Sequence, residues 1–290
     1  MKKVFFIVVA SFAVMFSCSK DNTRELDLPN KGDITIETDG SFKSVTDALA
    51  ERYTALNPKT KITVVEKKED LGLLDLLNKK TRVVVMSREL SDKEKLAYDQ
   101  RIDLPWKPAK FAADAVLFVV PKDSPLESIS MEEILAELNS DKKRLIFDGI
   151  NSSNLNFVAQ KFQKKPSDLK FSIINGNENV ADQLKNFPDK IGVISYNTIS
   201  RPFGKEAEKL RSELKVLKVI KGKMAYDVSN DNLKKMTYPF TRVLYFITNE
   251  SYYGLGNAFI RFSCQQLGQI IVEKEGLQPY NIFNREVQMR

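Results

Sequence analysis

The chain has 290 residues, 42% of them hydrophobic, with 45 basic against 38 acidic side chains, two cysteines and no histidine. That length can bury the core of one large domain or two smaller ones, and the lack of histidine excludes Ser-His-Asp and Cys-His catalysis and His-ligated metal sites. The formal charge of +7 is not gathered into a basic stripe interleaved with aromatics, so no nucleic-acid partner is expected.

Lys2-Lys3 precede an apolar run over residues 4–16, and small Ser17 stands before Cys18. This is the plan of a secretory leader, and the run is too short to span a bilayer comfortably. Met15-Phe16-Ser17-Cys18 resembles a bacterial lipoprotein signal, which implies a signal peptide over 1–17 and an acylated Cys18 as the first mature residue. An ordinary leader with a chance cysteine is the alternative. Cys18-Ser19-Lys20-Asp21-Asn22 further resembles the Lys-acidic signal that sends some lipoproteins to the cell surface. Removing the leader leaves 43 basic residues against 38 acidic ones, a formal charge of +5. Residues 18–31 are polar, contain Pro29 and read as a flexible lipidated tether.

Strand and helix patterns then alternate. Residues 33–37 (DITIE) predict a strand, and a helix from Phe42 sets Val45, Leu49, Tyr53 and Leu56 on one face before Pro58 stops it. A second strand is expected at 61–66, a helix at 71–79 and a continuously apolar strand at 81–86. Ser91-Asp92-Lys93-Glu94 and Ser130-Met131-Glu132-Glu133 are capping boxes that open helices. Residues 112–121 (AADAVLFVVP) read as a crossover strand between two lobes. Strands at 143–148, 171–174, 190–196 and 214–220 and helices at 155–162 and 179–186 follow. Residues 241–248 (TRVLYFIT) form a second crossover, which feeds one long amphipathic helix bearing Leu255, Phe259, Phe262 and Ile270. Cys264 lies on that helix and reads as a buried structural thiol. The order predicts an α/β fold with parallel sheets in two lobes, 32–115 with 241–290 and 116–240.

Three polar turns carry the functional signal: Asp39-Gly40-Ser41, Ser87-Arg88 and Asn151-Ser152-Ser153. Each follows a strand and precedes a helix, where unpaired amides and the helix dipole suit an anion. Any one of them also reads as an ordinary helix cap. Arg88 adds a guanidinium fork that matches tetrahedral oxyanions. Adjacent acids such as Glu132-Glu133 do not face each other on a helix, and no Ser-x-x-Lys sits at a convincing turn, so no catalytic residue, metal or cofactor is assigned.

In order along the chain, these motifs resemble the phosphate-binding proteins of ABC transporters. Gly40-Ser41-Phe42 stands where that family has a Gly-x-Thr-Phe turn that holds phosphate through hydroxyl and backbone N–H. Ser87-Arg88-Glu89-Leu90 matches its Ser-Arg-x-Leu segment, Asp114-Ala115 its first crossover, and Ser152-Ser153-Asn154 its Ser-Gly-Thr phosphate cradle. Ile191-Gly192-Val193, Tyr238-Pro239 with Arg242, Leu267-Gly268-Gln269 and Gly276-Leu277-Gln278-Pro279 continue the series. Two departures stand out. Lys67-Lys68-Glu69-Asp70-Leu71-Gly72 replaces the usual Gly-Ser-Gly turn after the second strand, and Asp148 stands where some relatives carry arginine.

The resemblance implies a two-lobed periplasmic binding protein fold, type II-like, with two hinge crossovers and supporting roles there for Asp114 and Arg242. It implies phosphate or a related oxyanion held by Ser41, Phe42, Ser87, Arg88, Ser152, Ser153 and Asn154, with Asp148 as a proton acceptor. It further implies a monomer, an ABC permease as partner and an envelope location, held by lipid on the periplasmic side or at the cell surface. The alternative is a surface lipoprotein of the same fold that acts as a recognition module or binds another oxyanion.

Overall fold

The computed structural model describes residues 27–281, so Cys18 and the leader lie outside the described residues. The first lobe begins with β1 (Gly32–Thr38), α1 (Lys43–Leu56), β2 (Thr60–Glu66), α2 (Glu69–Leu77), β3 (Val83–Met86) and α3 (Asp92–Ile102). β4 (Ala109–Pro121) crosses into the second lobe. That lobe contains β5 (Ser128–Ser130), α4 (Met131–Leu138), β6 (Leu145–Phe147), α5 (Ser153–Lys161), β7 (Ser172–Ile173), α6 (Asn177–Gln183), β8 (Ile191–Ser195) and α7 (Asn197–Ser200). It continues through α8 (Lys205–Glu213), β9 (Leu214–Val216), β10 (Lys218–Lys221), β11 (Met224–Tyr226) and α9 (Asn230–Lys234). β12 (Thr241–Thr248) returns to the first lobe, which ends in α10 (Leu255–Cys264), α11 (Gln266–Lys274) and β13 (Gln278–Pro279).

The main sheet runs β2-β1-β3-β12-β4-β8-β6-β7, with β9 and β13 also paired to β4. β4 serves both lobes: its first half pairs with β12 and β13, its second with β8 and β9. Beside it the returning chain is pinned where the Val116 amide donates to the Phe240 carbonyl and the Tyr238 hydroxyl to the Val116 carbonyl, both at 3.1 Å. β1 lies parallel to β2 and β3, and β8 parallel to β6, but β12 runs antiparallel to both β3 and β4. The sheet is therefore mixed, not parallel throughout as expected. A return crossover must run against the strand it accompanies.

Alternation along the strands assigns side chains to two sides of the first lobe. Val83, Val85, Leu244 and Phe246 pack with Phe42, Leu49, Tyr53 and Phe259, whereas Val84, Met86, Tyr245 and Ile247 pack with Leu73, Leu76 and Tyr98. The second lobe closes around Phe118, Phe147, Leu155, Val180 and Phe240. Each such apolar side chain contributes about 1.5–3 kcal/mol of burial.

Four further expectations are corrected. Leu56 is exposed, because α1 has left the core one turn after Tyr53. The single helix expected from residue 255 breaks at Gln265, whose backbone is extended (φ −92°, ψ 172°), and Ile270 is only half-buried beyond the break. Gly268 permits this fold-back, since a Cβ there would lie 2.4 Å from the Phe262 carbonyl oxygen. The single strand expected at 214–220 is two, β9 and β10, and β10 turns through Gly222 (φ 63°) into β11. Finally, the tether is docked from Asp27: its carboxylate accepts from Arg82 at 2.6 and 2.8 Å and from the Tyr252 hydroxyl at 2.8 Å. Tyr53 donates to the Pro29 carbonyl at 2.6 Å. Cys264 is half-buried, and burial pushes its thiol up to about 11, the range of an inert structural thiol.

Candidate functional site

Asp39 follows β1 and caps the 3-10 turn Gly40–Phe42 with extended backbone (φ −64°, ψ 147°). A capping side chain ordinarily accepts one or two amides of its own turn. This carboxylate accepts four hydrogen bonds: from the amides of Ser41 at 3.0 Å, Glu69 at 3.2 Å and Ser153 at 3.2 Å, and from the Ser153 hydroxyl at 3.0 Å. Glu69 and Ser153 are the first residues of α2 and α5. Three helical starts, two from the first lobe and one from the second, thus converge on one buried negative group.

Two of the polar-turn hydroxyls, those of Ser41 and Ser153, lie at this seat. Ser153 Oγ lies 2.9 Å from Ser41 Oγ, which also accepts the Asn177 side-chain amide at 3.1 Å. The Ser195 hydroxyl lies 2.9 Å from the Ser41 carbonyl oxygen. The Phe42 amide donates at 2.9 Å to the Asp39 carbonyl, and its buried ring lies 4.6 Å beneath the Arg242 guanidinium. Ser152 caps α5 by accepting the Leu155 amide at 3.4 Å.

Asp148, at the end of β6, is the second buried carboxylate. It accepts from Asn154 Nδ2 at 3.0 Å, Asn177 Nδ2 at 3.2 Å and Lys68 Nζ at 3.2 Å, and Lys68 also reaches the Asp148 carbonyl at 2.9 Å. Burial and then the Asp39 charge raise the Asp148 carboxyl above its usual range, and Lys68 offsets only part of this. Burial opposes the charge on Lys68, but Asp148, Asp39 and Glu66 outweigh it and hold the ammonium above its usual range. Lys68 thereby joins the first lobe to the second across the cleft.

Ser87 and Arg88 stand on the other side of α2. The amide and hydroxyl of Ser87 both donate to Glu69 Oε1, at 2.6 and 2.9 Å. The Arg88 guanidinium meets Glu94 and Asp70 at 2.7 Å and lies 3.6 Å from Glu69 Oε2. Burial first, with the Asp39 charge beside it, pushes the Glu69 carboxyl up to about 7 against the pull of Arg88 and Ser87. The structure therefore brings Ser41, Ser153, Asn154 and Asp148 into one hydrogen-bonded cluster with Asp39. Arg88 is set among carboxylates of its own lobe.

Sequence reading missed Asn177, Ser195 and the placement of Asp39. Asn175-Gly176-Asn177 repeats the plan of a polar turn before a helix, with Gly176 at φ 89°, and was the available signal for Asn177. Ser195, a lone hydroxyl closing an apolar strand, offered none. A cavity of about 800 Å³, lined by Lys43, Glu66, Lys68, Asn175 and Arg201 among others, opens outward from Ser41 and Asn177.

The PBP superfamily domain model matches residues 24–266 of this chain. The phosphate-binding protein PstS of Borreliella burgdorferi is 22% identical over 298 residues, which span 95% of this chain and 98% of that protein. A protein of Clostridium perfringens assigned as a phosphate ABC transporter substrate-binding protein, solved with phosphate bound, superposes with a TM-score of 0.69 at 19% identity, covering 86% of this chain and 99% of its own. An ABC-type phosphate transport receptor from Vibrio cholerae gives 0.64 at 17% identity, covering 86% and 100%. These likenesses show the fold, the two-lobed α/β architecture expected from the motif order.

Proposed function

Because this chain belongs to the PBP superfamily, we propose that it is an extracytoplasmic solute-binding lipoprotein that captures phosphate, or a related oxyanion, between its lobes for an ABC permease. The observation that carries this reading is the seat around Asp39, where amides and hydroxyls from both lobes are aimed at one negative group. Such preset donors suit an oxyanion without rearranging the protein. The phosphate named for the relatives supports the same ligand class.

In this reading the lobes comprise 32–115 with 241–290 and 116–240, and the chain acts as a monomer carried on lipid at Cys18. Ser41, Ser153 and the α2 and α5 amides are the inner contacts. Phe42 and Ser152 shape the turns that present them. Asp148 and Asn154 form the second-lobe wall, and Ser87 and Arg88 support α2 from behind. No helix among the described residues is long and apolar enough to cross a membrane. Calorimetry with phosphate, sulfate and a neutral sugar tests the ligand: saturable phosphate binding, weaker sulfate binding and none for the sugar are expected. Absence of phosphate binding at concentrations on the order of 10 mM would overturn capture by the unaltered chain.

One observation favours a second reading, a surface lipoprotein of this fold acting as a recognition module. The seat is filled by the chain's own carboxylate, and such a protein would use the closed lobes as a rigid display surface.

A further inference from the structure

We propose that Asp39 is an internal counter-anion: its carboxylate occupies the oxyanion seat, latches the two lobes closed, and must leave before any phosphate enters. The inference rests on reading this cleft as an oxyanion seat. Its support is geometric. A phosphate group bound by the Ser41, Glu69 and Ser153 amides and the Ser153 hydroxyl would use the donors that Asp39 now holds at 3.0 to 3.2 Å. Two oxygens of one carboxylate span both lobes, with Oδ1 on Ser41 and the Ser153 hydroxyl, and Oδ2 on Glu69 and the Ser153 amide. Asp39 is itself buried among these donors.

Sequence and surroundings agree with this placement. Lys68 and Glu69, from the turn that departs from Gly-Ser-Gly, complete the arrangement. Glu69 supplies one amide to Asp39 and with its own carboxylate occupies the Ser87 amide and hydroxyl. Lys68 holds Asp148 across the cleft at 3.2 Å. Asp39 thus takes the Ser153 hydroxyl and Glu69 the Ser87 hydroxyl, two of the hydroxyls expected from the polar turns as ligand contacts. The latch sets the affinity as well as the shape. If Asp39 leaves its seat in about one molecule in a hundred, apparent phosphate affinity falls about 100-fold below that of an unlatched cleft.

The test compares the full mature chain with Asp39→Gly, which opens the seat, and with Asp39→Asn, which keeps the bulk but turns an amide donor toward donors. Inorganic phosphate is titrated by calorimetry, and small-angle X-ray scattering is recorded with and without it. The latch predicts a compact ligand-free wild type, an expanded ligand-free Asp39→Gly that closes on phosphate, and phosphate affinity raised about 10-fold or more in that variant. Asp39→Asn is expected to be expanded without ligand as well, which covers misfolding of the glycine variant. Equal affinity and equal compactness in all three would overturn the latch and leave phosphate capture standing. Expansion of the variants with no phosphate binding in any chain would support the latch and overturn phosphate as the ligand. Binding confined to the variants would support the latch and favour the recognition module for the unaltered chain.

Discussion

Arg242 and Asp114 are both buried where β12 meets β4: the carboxylate accepts a hydrogen bond from Arg242 Nε at 2.9 Å, and Nη2 lies 2.8 Å from the same oxygen as an ion-pair contact. Asp114 also accepts the Ser195 hydroxyl at 2.9 Å and the Asn197 amide at 3.0 Å, so the pair fixes second-lobe groups against the hinge. Replacing Arg242 with Met would strand a buried carboxylate, and urea unfolding is expected to register a loss of about 3–5 kcal/mol. Glu69 makes a prediction in pH. Its ordinary value of 4.5 is raised to about 7 in the fold, so between those values the folded chain holds a proton that the unfolded chain has released. This contribution is present in full below pH 4.5 and declines as pH rises toward 7, by about 3 kcal/mol. Glu69→Gln should remove that decline from the difference between stability curves measured at pH 4.5 and 7.5. An unchanged slope would show that Glu69 does not titrate in this range.

At the scale of elements, local rules were most legible where a residue acts on its own neighbours. Both capping boxes form, Ser91 with Glu94 and Ser130 with Glu133. Ser130→Ala should cost about 1 kcal/mol in thermal or urea unfolding, the ordinary worth of an N-cap. Glu94→Ala should cost more than Ser91→Ala, because Glu94 also holds Arg88 at 2.7 Å. Apolar strands such as β3 and β12 were equally plain, since a run buried on both faces needs no alternation. The β9 to β11 region was not, because lysines break every apolar run there and the turn depends on Gly222 alone. The antiparallel course of β12 is a pairing choice made by the whole sheet, which strand composition does not encode.

At the scale of the molecule, the two lobes could be read from the two apolar crossovers, and the Ser41 and Ser153 hydroxyls from two of the three polar turns. What could not be read was which group they bind. Asp39 in Asp39-Gly40-Ser41 has the composition of a plain cap, and only the convergence of α2 and α5, distant in sequence, reveals it as a shared acceptor. Lys68 is the other cross-lobe tie. Lys68→Met should loosen closure, seen as an increased radius of gyration in ligand-free scattering, whereas a variant as compact as the wild type would assign closure to Asp39 and its neighbours. The docking of Asp27 onto Arg82 and Tyr252 has a consequence for how the protein stands on its membrane. Only nine residue steps then separate Cys18 from the anchored fold, and a fully extended chain of that length reaches about 30 Å. With lipid at Cys18 as proposed, this leash keeps the Asp27 docking point on the first lobe within about one bilayer core's thickness of the surface.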